Sequence, residues 1–391
     1  MKVIKKFKII KIILFFFVII GVTYSCNKKD TPTDKTEQTN KDTNNNKDDN
    51  KPHTDIDSTN IDRNTILVTH NATSYTIGLF KYLQLHYKKD IISCAMSNVD
   101  WNLNECNWVY SHTGKYPAMA GLDFISIYNQ SKKYDNISDL ISWHKKGGLI
   151  TLMWHWNVPR TEGSTSNYGF YSVSNHDQTG NSQYSSISPK ALDDTTSWIY
   201  KYLVKDIKQV ADIMINLQNS DIPIIWRPLH EASGGWFWWG QGGAASYKKL
   251  WKLMFDIFQD KGVKNTIWVW TSQGNDDEWY PGDHYVDIIG RDFYNNANNI
   301  SIAAEFTNLQ KKYPNKLITL SECGNISTIP EQWEVNANWS WFMPWYDYNR
   351  TKDTTNAKDT SHKWANIIWW KAAFNMNNCI TRDEVDLTIL K

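Results

Sequence analysis

The feature of this chain that most limits its fold is a series of eight short apolar segments, separated mostly by stretches with helical periodicity. Continuous apolar runs of this length are typical of strands that are buried on both faces. The predicted strands are residues 90–96, 117–126, 148–156, 222–231, 265–270, 287–294, 316–324 and 339–345. Strands that alternate with helices form parallel sheets, and eight of them close into a barrel. The sequence therefore predicts an α/β fold, a (β/α)8 TIM barrel, with an open doubly wound sheet as the alternative.

Helices are predicted where apolar residues recur at every third or fourth position. These segments are residues 71–89, 139–146, 196–218, 244–261, 302–312 and 362–375. Strands and helices together indicate one barrel domain from about residue 63 to residue 391.

The first 62 residues have the composition of a targeting leader followed by a tether. Five lysines precede an apolar stretch, residues 12–22, and the sequence TYSC ends at Cys26. This pattern predicts a bacterial lipoprotein signal peptide, residues 1–25, with lipid attached to Cys26. A plain signal peptide or an uncleaved anchor is the alternative. Residues 26–62 are rich in Lys, Asp, Asn and Thr, and predict a disordered tether. We therefore expect a chain anchored by lipid to the bacterial outer membrane and exposed at the cell surface, with a periplasmic orientation as the alternative.

Charge and cysteine content exclude several classes of partner. The formal net charge is +1, which gives no overall field for nucleic acid. Cys94 and Cys106 are close enough in sequence for a disulfide, which the sequence alone neither requires nor excludes. Cys/Cys and Cys/His spacings do not fit a metal site, so we expect no metal. The glycine-rich residues 240–243 lack a dinucleotide fingerprint, and we expect no organic cofactor. We also expect a monomer.

Side chains at the carboxyl ends of the predicted strands are the candidates for function, since TIM barrels carry their sites there. These residues are Asn98, His155, Trp156, His230, Glu231, Tyr294, Glu322 and Trp345. A random set of strand ends would be richer in Lys, Asp and Gly. The chain also contains 21 Trp and 20 Tyr, whose rings can stack on sugar faces, although Trp also fills ordinary cores.

Two of these residues form a candidate catalytic pair. Glu231 ends the fourth strand and Glu322 ends the seventh, on opposite sides of a barrel mouth. Hydrolysis of a glycosidic bond needs two carboxyl groups, one to protonate the leaving oxygen and one to attack the anomeric carbon or activate water. Tyr294 is expected to hydrogen-bond Glu322, and His230 to orient Glu231 or bind a substrate hydroxyl. For both, a satisfied core side chain is the alternative.

The segment RPLHEASGGWFWWG, residues 227–240, resembles the acid/base segment of glycoside hydrolase family 26, whose best-known members are β-mannanases. Similar motifs are PAMAGLD at 117–123, WHWN at 154–157 followed by a proline at 159, GRDFY at 290–294 and SECG at 321–324. The resemblance covers about residues 64–380. It implies a (β/α)8 barrel that cleaves with net retention of anomeric configuration.

The resemblance also implies roles for individual residues. Glu231 matches the general acid/base and Glu322 the nucleophile. Residues that match the sugar site next to the scissile bond are His230, Trp236, Tyr294 and Trp345. Where some family members have an arginine after this last tryptophan, this chain has Tyr346. His155 and Trp156 are expected to contact substrate, with a structural role as the alternative.

The predicted reaction is double displacement on β-1,4-mannosidic linkages of mannan, galactomannan or glucomannan. The partner is thus a β-mannan-type polysaccharide or oligosaccharide. Two alternatives remain: the same chemistry on mixed-linkage β-glucan or β-1,3-xylan, and a surface glycan-binding lipoprotein without catalysis. The segment 160–195, which is rich in Ser, Asn, Tyr and Gly, either walls the cleft or forms an unstructured loop.

Overall fold

Eight parallel strands close into a barrel in the computed structural model of the chain. The strands are Ile91–Asn98 (β1), Met119–Asp123 (β2), Leu149–Met153 (β3), Ile224–Arg227 (β4), Thr266–Ser272 (β5), Ile288–Tyr294 (β6), Leu317–Gly324 (β7) and Trp341–Pro344 (β8). Neighbours pair in chain order, and β8 pairs with β1 through Ile92 with Trp341 and Ser93 with Phe342. The predicted TIM barrel is therefore confirmed, and the open sheet is excluded.

The structure describes residues 67–99, 101–129, 134, 136–173, 184–351 and 360–390. The predicted signal peptide, Cys26, the tether and the boundary at residue 63 lie outside these ranges. All described residues belong to one compact unit, Asp57–Lys391. Within the described ranges, each helix is too short or too polar to cross a bilayer.

Helices cover the outside of the barrel. They are Ser74–His86 (α1), Asn104–Thr113 (α2), Ser138–Lys145 (α3), Trp198–Gln218 (α4), Gly243–Lys261 (α5), Asn299–Lys312 (α6), Ile329–Glu334 (α7), the single turn Tyr348–Thr351 (α8) and Ile367–Phe374 (α9). Local chemistry sets several ends: the Ser197 hydroxyl accepts a hydrogen bond from the Tyr200 amide at the start of α4, and α5 stops at Gly262 with φ 79°. The sequence did not predict α2, α7 or the single turn α8.

The last helix begins later than predicted. The sequence favoured a helix from residue 362, but α9 starts at Ile367 after the N-cap Asn366, whose side chain accepts from the Trp369 amide. The His362 ring accepts from the amides of Trp364 and Ala365, which fixes a turn there instead of a first helical turn.

Short elements complete the described fold. Two-residue strands pair Val158–Pro159 with Tyr168–Gly169 and Tyr171–Ser172 with Tyr184–Ser185, and Cys379–Ile380 lies beside β1. Short 3-10 turns are Pro189–Asp193, Ala232–Gly234, Trp238–Gly240, Asp277–Trp279, Arg382–Glu384 and Leu387–Leu390.

Tryptophan fills the layer between strands and helices. Trp226 of β4 stacks on Phe258 of α5 at 5.9 Å between ring centroids, and Trp268 of β5 meets Phe255 of the same helix at 5.2 Å. Twelve of the 21 tryptophans are fully buried. Since each buries a large apolar surface, most of the unusual tryptophan content stabilises the barrel and does not line a site.

The four cysteines of the described barrel are buried free thiols. Cys94 of β1 and Cys106 of α2 do not form the disulfide that the sequence left open, and Cys323 and Cys379 are also unpaired. Burial raises the pKa of Cys106 to about 12, so at neutral pH this side chain is a neutral, weakly reactive thiol.

Candidate active site

A buried arginine organises the carboxyl ends of three strands. Arg227, the last residue of β4, donates a hydrogen bond of 2.9 Å to Asp292 of β6 and also bonds Glu322 of β7. Its side chain is 3% exposed, so both acidic partners are needed to offset the cost of burying the guanidinium. Ser321 donates to the other oxygen of Asp292 at 2.7 Å. This network fixes the position of Glu322 relative to the barrel.

Glu322 is held by donors on both oxygens. Tyr294 donates to Oε1 at 2.6 Å, as the sequence predicted, and Arg227 donates to Oε2. Burial raises the pKa of Glu322, while the Arg227 charge and the Tyr294 hydrogen bond act in the opposite direction. Both direct donors favour the ionised carboxylate. The group is thus held in one orientation by the donors that a carboxylate anion needs.

Glu231 has a different environment. It lies just beyond β4 in the left-handed region, with φ 54°, and Leu229 nearby has φ 49°. Such conformations are costly for residues other than glycine, and they concentrate at functional sites. Its carboxyl is half-buried and accepts a hydrogen bond of 2.9 Å from the indole of Trp236. Burial and the negative charges of Asp292 and Glu322 raise the pKa of Glu231 well above its usual value, which favours the protonated acid.

Two histidines lie side by side next to these carboxyl groups. Asp123 of β2 accepts from Nδ1 of His155 at 2.5 Å and from its backbone amide at 2.9 Å. The Nε2 atoms of His155 and His230 are 3.2 Å apart. Both rings are buried, and the N–H of one ring donates a hydrogen bond to the Nε2 atom of the other. Burial and the charge of Arg227 lower the pKa of His230 well below its usual value. The sequence predicted that His230 orients Glu231 or binds a substrate hydroxyl. In the structure His230 contacts His155, and the hydrogen bond to Glu231 comes from Trp236.

Aromatic rings surround the carboxyl groups. Trp236 and Trp345 are both half-buried, so part of each indole reaches solvent, and the Trp345 ring lies 5.6 Å from His155. Tyr171, which the sequence analysis missed, stacks on Phe237 at 5.8 Å. Burial and the charges of Glu231 and Glu322 raise the pKa of Tyr171.

Tyr171 belongs to the long segment after β3. The Ser172 amide donates to Trp236 at 2.7 Å, and the Trp238 amide donates to Phe170 at 3.1 Å. Described residues of the 160–195 segment therefore pack on the loop that follows Glu231, which agrees with a wall of the cleft. Only its position after a strand end hinted at this in the sequence.

A second missed residue, Asp276, ties two loops together. Its carboxylate accepts from Ser233, two residues after Glu231, at 3.0 Å, and from Ser272 at the end of β5 at 2.7 Å. The Gln273 amide donates to the same carboxylate at 2.6 Å. The carboxylate is buried and fully occupied, so it stabilises the turn that carries Glu231.

Trp156 does not line the cleft, contrary to the prediction. Its side chain is 0% exposed, stacks on Trp154 at 4.1 Å, and donates through the indole to Asp206 of α4 at 2.9 Å. The sequence analysis placed His155 and Trp156 together, but successive side chains at a strand end point to opposite faces. His155 faces the carboxyl pair, and Trp156 packs against the helical layer.

Burial of Asp206 should make the stability of the fold depend on pH. Burial raises its pKa to about 7, above the ordinary value near 3.9 of an unfolded chain. Its contribution to stability is therefore complete below about pH 4 and is lost as pH rises through 7. Asp206→Asn keeps an acceptor for Trp156 without the ionisation. We expect its melting temperature to exceed that of the wild type by a few degrees at pH 8, with a smaller difference at pH 5.

Thermal unfolding at the two pH values tests this, with Asp212→Asn as the control. Asp212 lies on the same helix, and its side chain is 60% exposed. A difference between Asp206→Asn and wild type that is the same at pH 5 and pH 8 would show that ionisation of Asp206 does not destabilise the fold.

Comparison with known sequences decides the family of this site. Residues 68–382 match the sequence model of Glycosyl hydrolase family 26. The chain belongs to this family. The resemblance seen in the sequence motifs is confirmed, and the matched region contains both Glu231 and Glu322.

Family 26 relatives with known structure share the barrel. A family 26 domain from a Prevotella bryantii endo-beta-mannanase/endo-beta-glucanase is 34% identical, with a TM-score of 0.73, over 82% of this chain and 99% of that domain. The beta-mannanase from a symbiotic protist of the termite Reticulitermes speratus, solved with gluco-manno-oligosaccharide, is 30% identical. Its TM-score is 0.70, over 82% of this chain and 98% of that one.

A curated family relative is longer than this chain. The mannan endo-1,4-beta-mannosidase of Thermothelomyces thermophilus is 32% identical over 292 residues, which is 73% of this chain and 58% of that enzyme. The chain thus matches little more than half of that relative.

Proposed function

We propose that this family 26 chain is a retaining glycosidase that cleaves β-1,4-mannosidic linkages in mannan, galactomannan or glucomannan. The observation that carries the proposal is the contrast between the two carboxyl groups. Glu322 has two donors that favour its anion, whereas the surroundings of Glu231 favour its acid. A nucleophile and a proton donor need this difference in ionisation.

The proposed mechanism is double displacement. Glu322 attacks the anomeric carbon while Glu231 protonates the departing sugar oxygen, and water activated by Glu231 then releases the glycosyl-enzyme. Trp236 would keep the Glu231 carboxyl aimed at that oxygen. Trp345 would lie beneath the sugar ring, because a half-exposed indole next to His155 offers an apolar face to a pyranose.

The names of relatives support mannan as the substrate class. The curated relative is called a mannan endo-1,4-beta-mannosidase, and the termite-symbiont enzyme holds a gluco-manno-oligosaccharide. These names describe those proteins, so the substrate of this chain needs its own test.

The test is release of reducing ends by a soluble form that begins at about residue 57, on galactomannan, glucomannan, mixed-linkage β-glucan and β-1,3-xylan. We expect cleavage of both mannans. Cleavage of only β-glucan or β-1,3-xylan would keep the chemistry and overturn the substrate. Binding to a mannan without any cleavage would favour a glycan-binding protein.

The pH dependence of kcat/KM should follow the two carboxyl groups. Activity falls at low pH as Glu322 takes up a proton and at high pH as Glu231 loses its proton. Because the charge of Asp292 helps to raise the pKa of Glu231, Asp292→Asn is expected to move the alkaline limb to lower pH. Asp283→Asn, on the loop before β6, serves as control. An unchanged alkaline limb in Asp292→Asn would exclude this electrostatic role.

We further propose that a lipid on Cys26 holds the monomeric enzyme at the bacterial outer membrane, facing the medium. The basic and apolar leader before Cys26 supports this. Cys26→Ala should release the chain from the membrane fraction, and sedimentation of the soluble form should give the mass of one chain. A Cys26→Ala chain that stays with membranes would contradict the anchor.

A further inference from the structure

Glu105 joins two parts of the segment that follows β8. This buried residue, in the first turn of α2, accepts from the Asp347 amide at 3.3 Å. Its other oxygen lies 2.9 Å from Nε2 of His362, although off the line of an ideal hydrogen bond. Their side chains are 2% and 0% exposed. The carboxylate of Glu105 in α2 thus contacts both described parts of the segment between β8 and α9, at Asp347 and at His362.

The His362 ring is fixed on its opposite edge as well. Nδ1 accepts from the amides of Trp364 at 3.1 Å and Ala365 at 2.9 Å, so the ring hydrogen is on Nε2, which faces Glu105. Trp108 of α2 packs on the ring at 5.1 Å between centroids. The backbone position of Trp364 therefore depends on a ring held by α2.

Trp364 forms the wall behind Tyr294. Their ring centroids are 5.0 Å apart at an angle of 72°, and the Asn325 amide donates to the Trp364 carbonyl at 2.8 Å. A Cβ at Gly324 would lie 2.7 Å from Trp364 and 2.8 Å from Tyr294, so only glycine allows this contact. Tyr294 in turn donates to Glu322 at 2.6 Å.

We propose that Glu105 and His362 are positioning residues for the nucleophile Glu322, acting through Trp364 and Tyr294. Neither touches the carboxyl pair. Without their contact, Trp364 loses its fixed backbone, Tyr294 gains freedom, and Glu322 loses one of its two donors for part of the time. The kinetic form of this inference rests on the proposed function.

The expected readout is the acidic limb of the kcat/KM profile, which reports ionisation of Glu322. The titratable and charged groups that interact with Glu322 are Arg227 from β4, Asp292 and Tyr294 from β6, Glu231 after β4, and His155 and Tyr171 after β3. Of these, only Tyr294 is packed on Trp364. The Tyr294 hydrogen bond favours the anion, so weakening it raises the pKa of Glu322 and moves the acidic limb to higher pH.

The experiment compares Glu105→Ala and His362→Ala with the wild type. We expect kcat to fall about tenfold with little change in KM, since a displaced nucleophile affects the reaction more than binding. We also expect the acidic limb to move to higher pH. Glu105→Gln keeps an oxygen beside Nε2 and an acceptor for the Asp347 amide, and should keep most of the activity and the wild-type limb. His362→Asn keeps an acceptor at the Nδ1 position but not the contact with Glu105, and should be intermediate.

His112→Asn is the matched control. His112 packs on the same Trp108 at 4.8 Å, but its ring bonds Trp108 and Ser111 of its own helix, so the acidic limb should stay in place. An unmoved acidic limb in both alanine variants, whatever their melting temperatures, would overturn the proposal and leave a purely structural contact. If these variants do not fold, Glu105→Gln and His362→Asn decide it, since equal effects of these two would contradict the argument.

A substrate-free readout separates this inference from the proposed function. Carboxyl carbon-13 titration of glutamate-labelled protein, with the Glu322 signal assigned by its loss in Glu322→Gln, reports the nucleophile directly. A wild type that cleaves no glycan would refute the proposed function. The titration of Glu322 in His362→Ala would still support the positioning role if it moves to higher pH, and overturn it if it does not.

Discussion

Glu322→Ala is expected to lower kcat on galactomannan by roughly 10⁴-fold or more, because the reaction loses the group that forms the covalent intermediate. Arg227 and Tyr294 hold the carboxylate in one orientation, and a methyl group can neither attack nor accept their hydrogen bonds. KM should change much less, since sugar contacts with the aromatic rings remain. Reducing-end assays measure this, with Glu334→Ala, exposed on α7, as the control.

Azide provides the stereochemical test of that variant. A small anion can enter the space left by the Glu322 carboxylate and attack the anomeric carbon from the same side. One displacement inverts the configuration, so an activated aryl β-mannoside should give the α-mannosyl azide. A β-mannosyl azide from Glu322→Ala, or a variant that keeps a tenth of the wild-type activity, would contradict the assignment of the nucleophile.

Glu231→Ala is expected to have the second largest effect, which should depend on the leaving group. On polysaccharide, kcat/KM should fall by roughly 10²- to 10⁴-fold, the usual contribution of general acid catalysis. On a dinitrophenyl β-mannoside the first step should remain fast, because that leaving group needs no proton. Rapid-mixing kinetics would then show a burst of dinitrophenol followed by slow turnover.

The azide product distinguishes this variant from Glu322→Ala. In Glu231→Ala, azide reacts with the glycosyl-enzyme formed on Glu322, so two displacements give the β-mannosyl azide. Equal losses on polysaccharide and on the activated mannoside would show that Glu231 supports the fold or binding and does not supply a proton.

The barrel was predictable because its strands are encoded locally. Residues 148–156 and 316–324, for example, have apolar side chains on both faces, which is typical of a strand buried between two layers. The structure places β3 and β7 inside these ranges. The helix α2 was missed since its buried residues, among them Glu105 and Trp108, do not form a regular apolar stripe. The buried side chains of α2 pack on the distant segment around His362, and the local pattern of apolar residues does not reveal such a contact.

The candidate site was predictable where it depends on strand ends, and less so elsewhere. Glu322 and Tyr294 lie near the ends of neighbouring strands, and this brings their side chains within hydrogen-bond reach although the register pairs Tyr294 with Gly324. Trp156 was wrongly assigned to the cleft because the sequence does not show which of two successive side chains after β3 points into the barrel mouth and which points to the helices. Tyr171 comes to the site through pairing of its segment with the loop around Phe237, a long-range contact with little local signal.

Closure of the barrel by β1 also imposes an order on folding. The strand β1 pairs with β2 on one side and with β8 on the other. The first residues of β1 also pair with Cys379–Ile380, which come almost 290 positions later in the chain. Until those residues emerge from the ribosome, Ile91 and Ile92 belong to an open sheet edge that can recruit strands of other molecules. Nascent chains should therefore need chaperones until late in synthesis. Chains truncated before residue 341 should aggregate and not form smaller stable barrels.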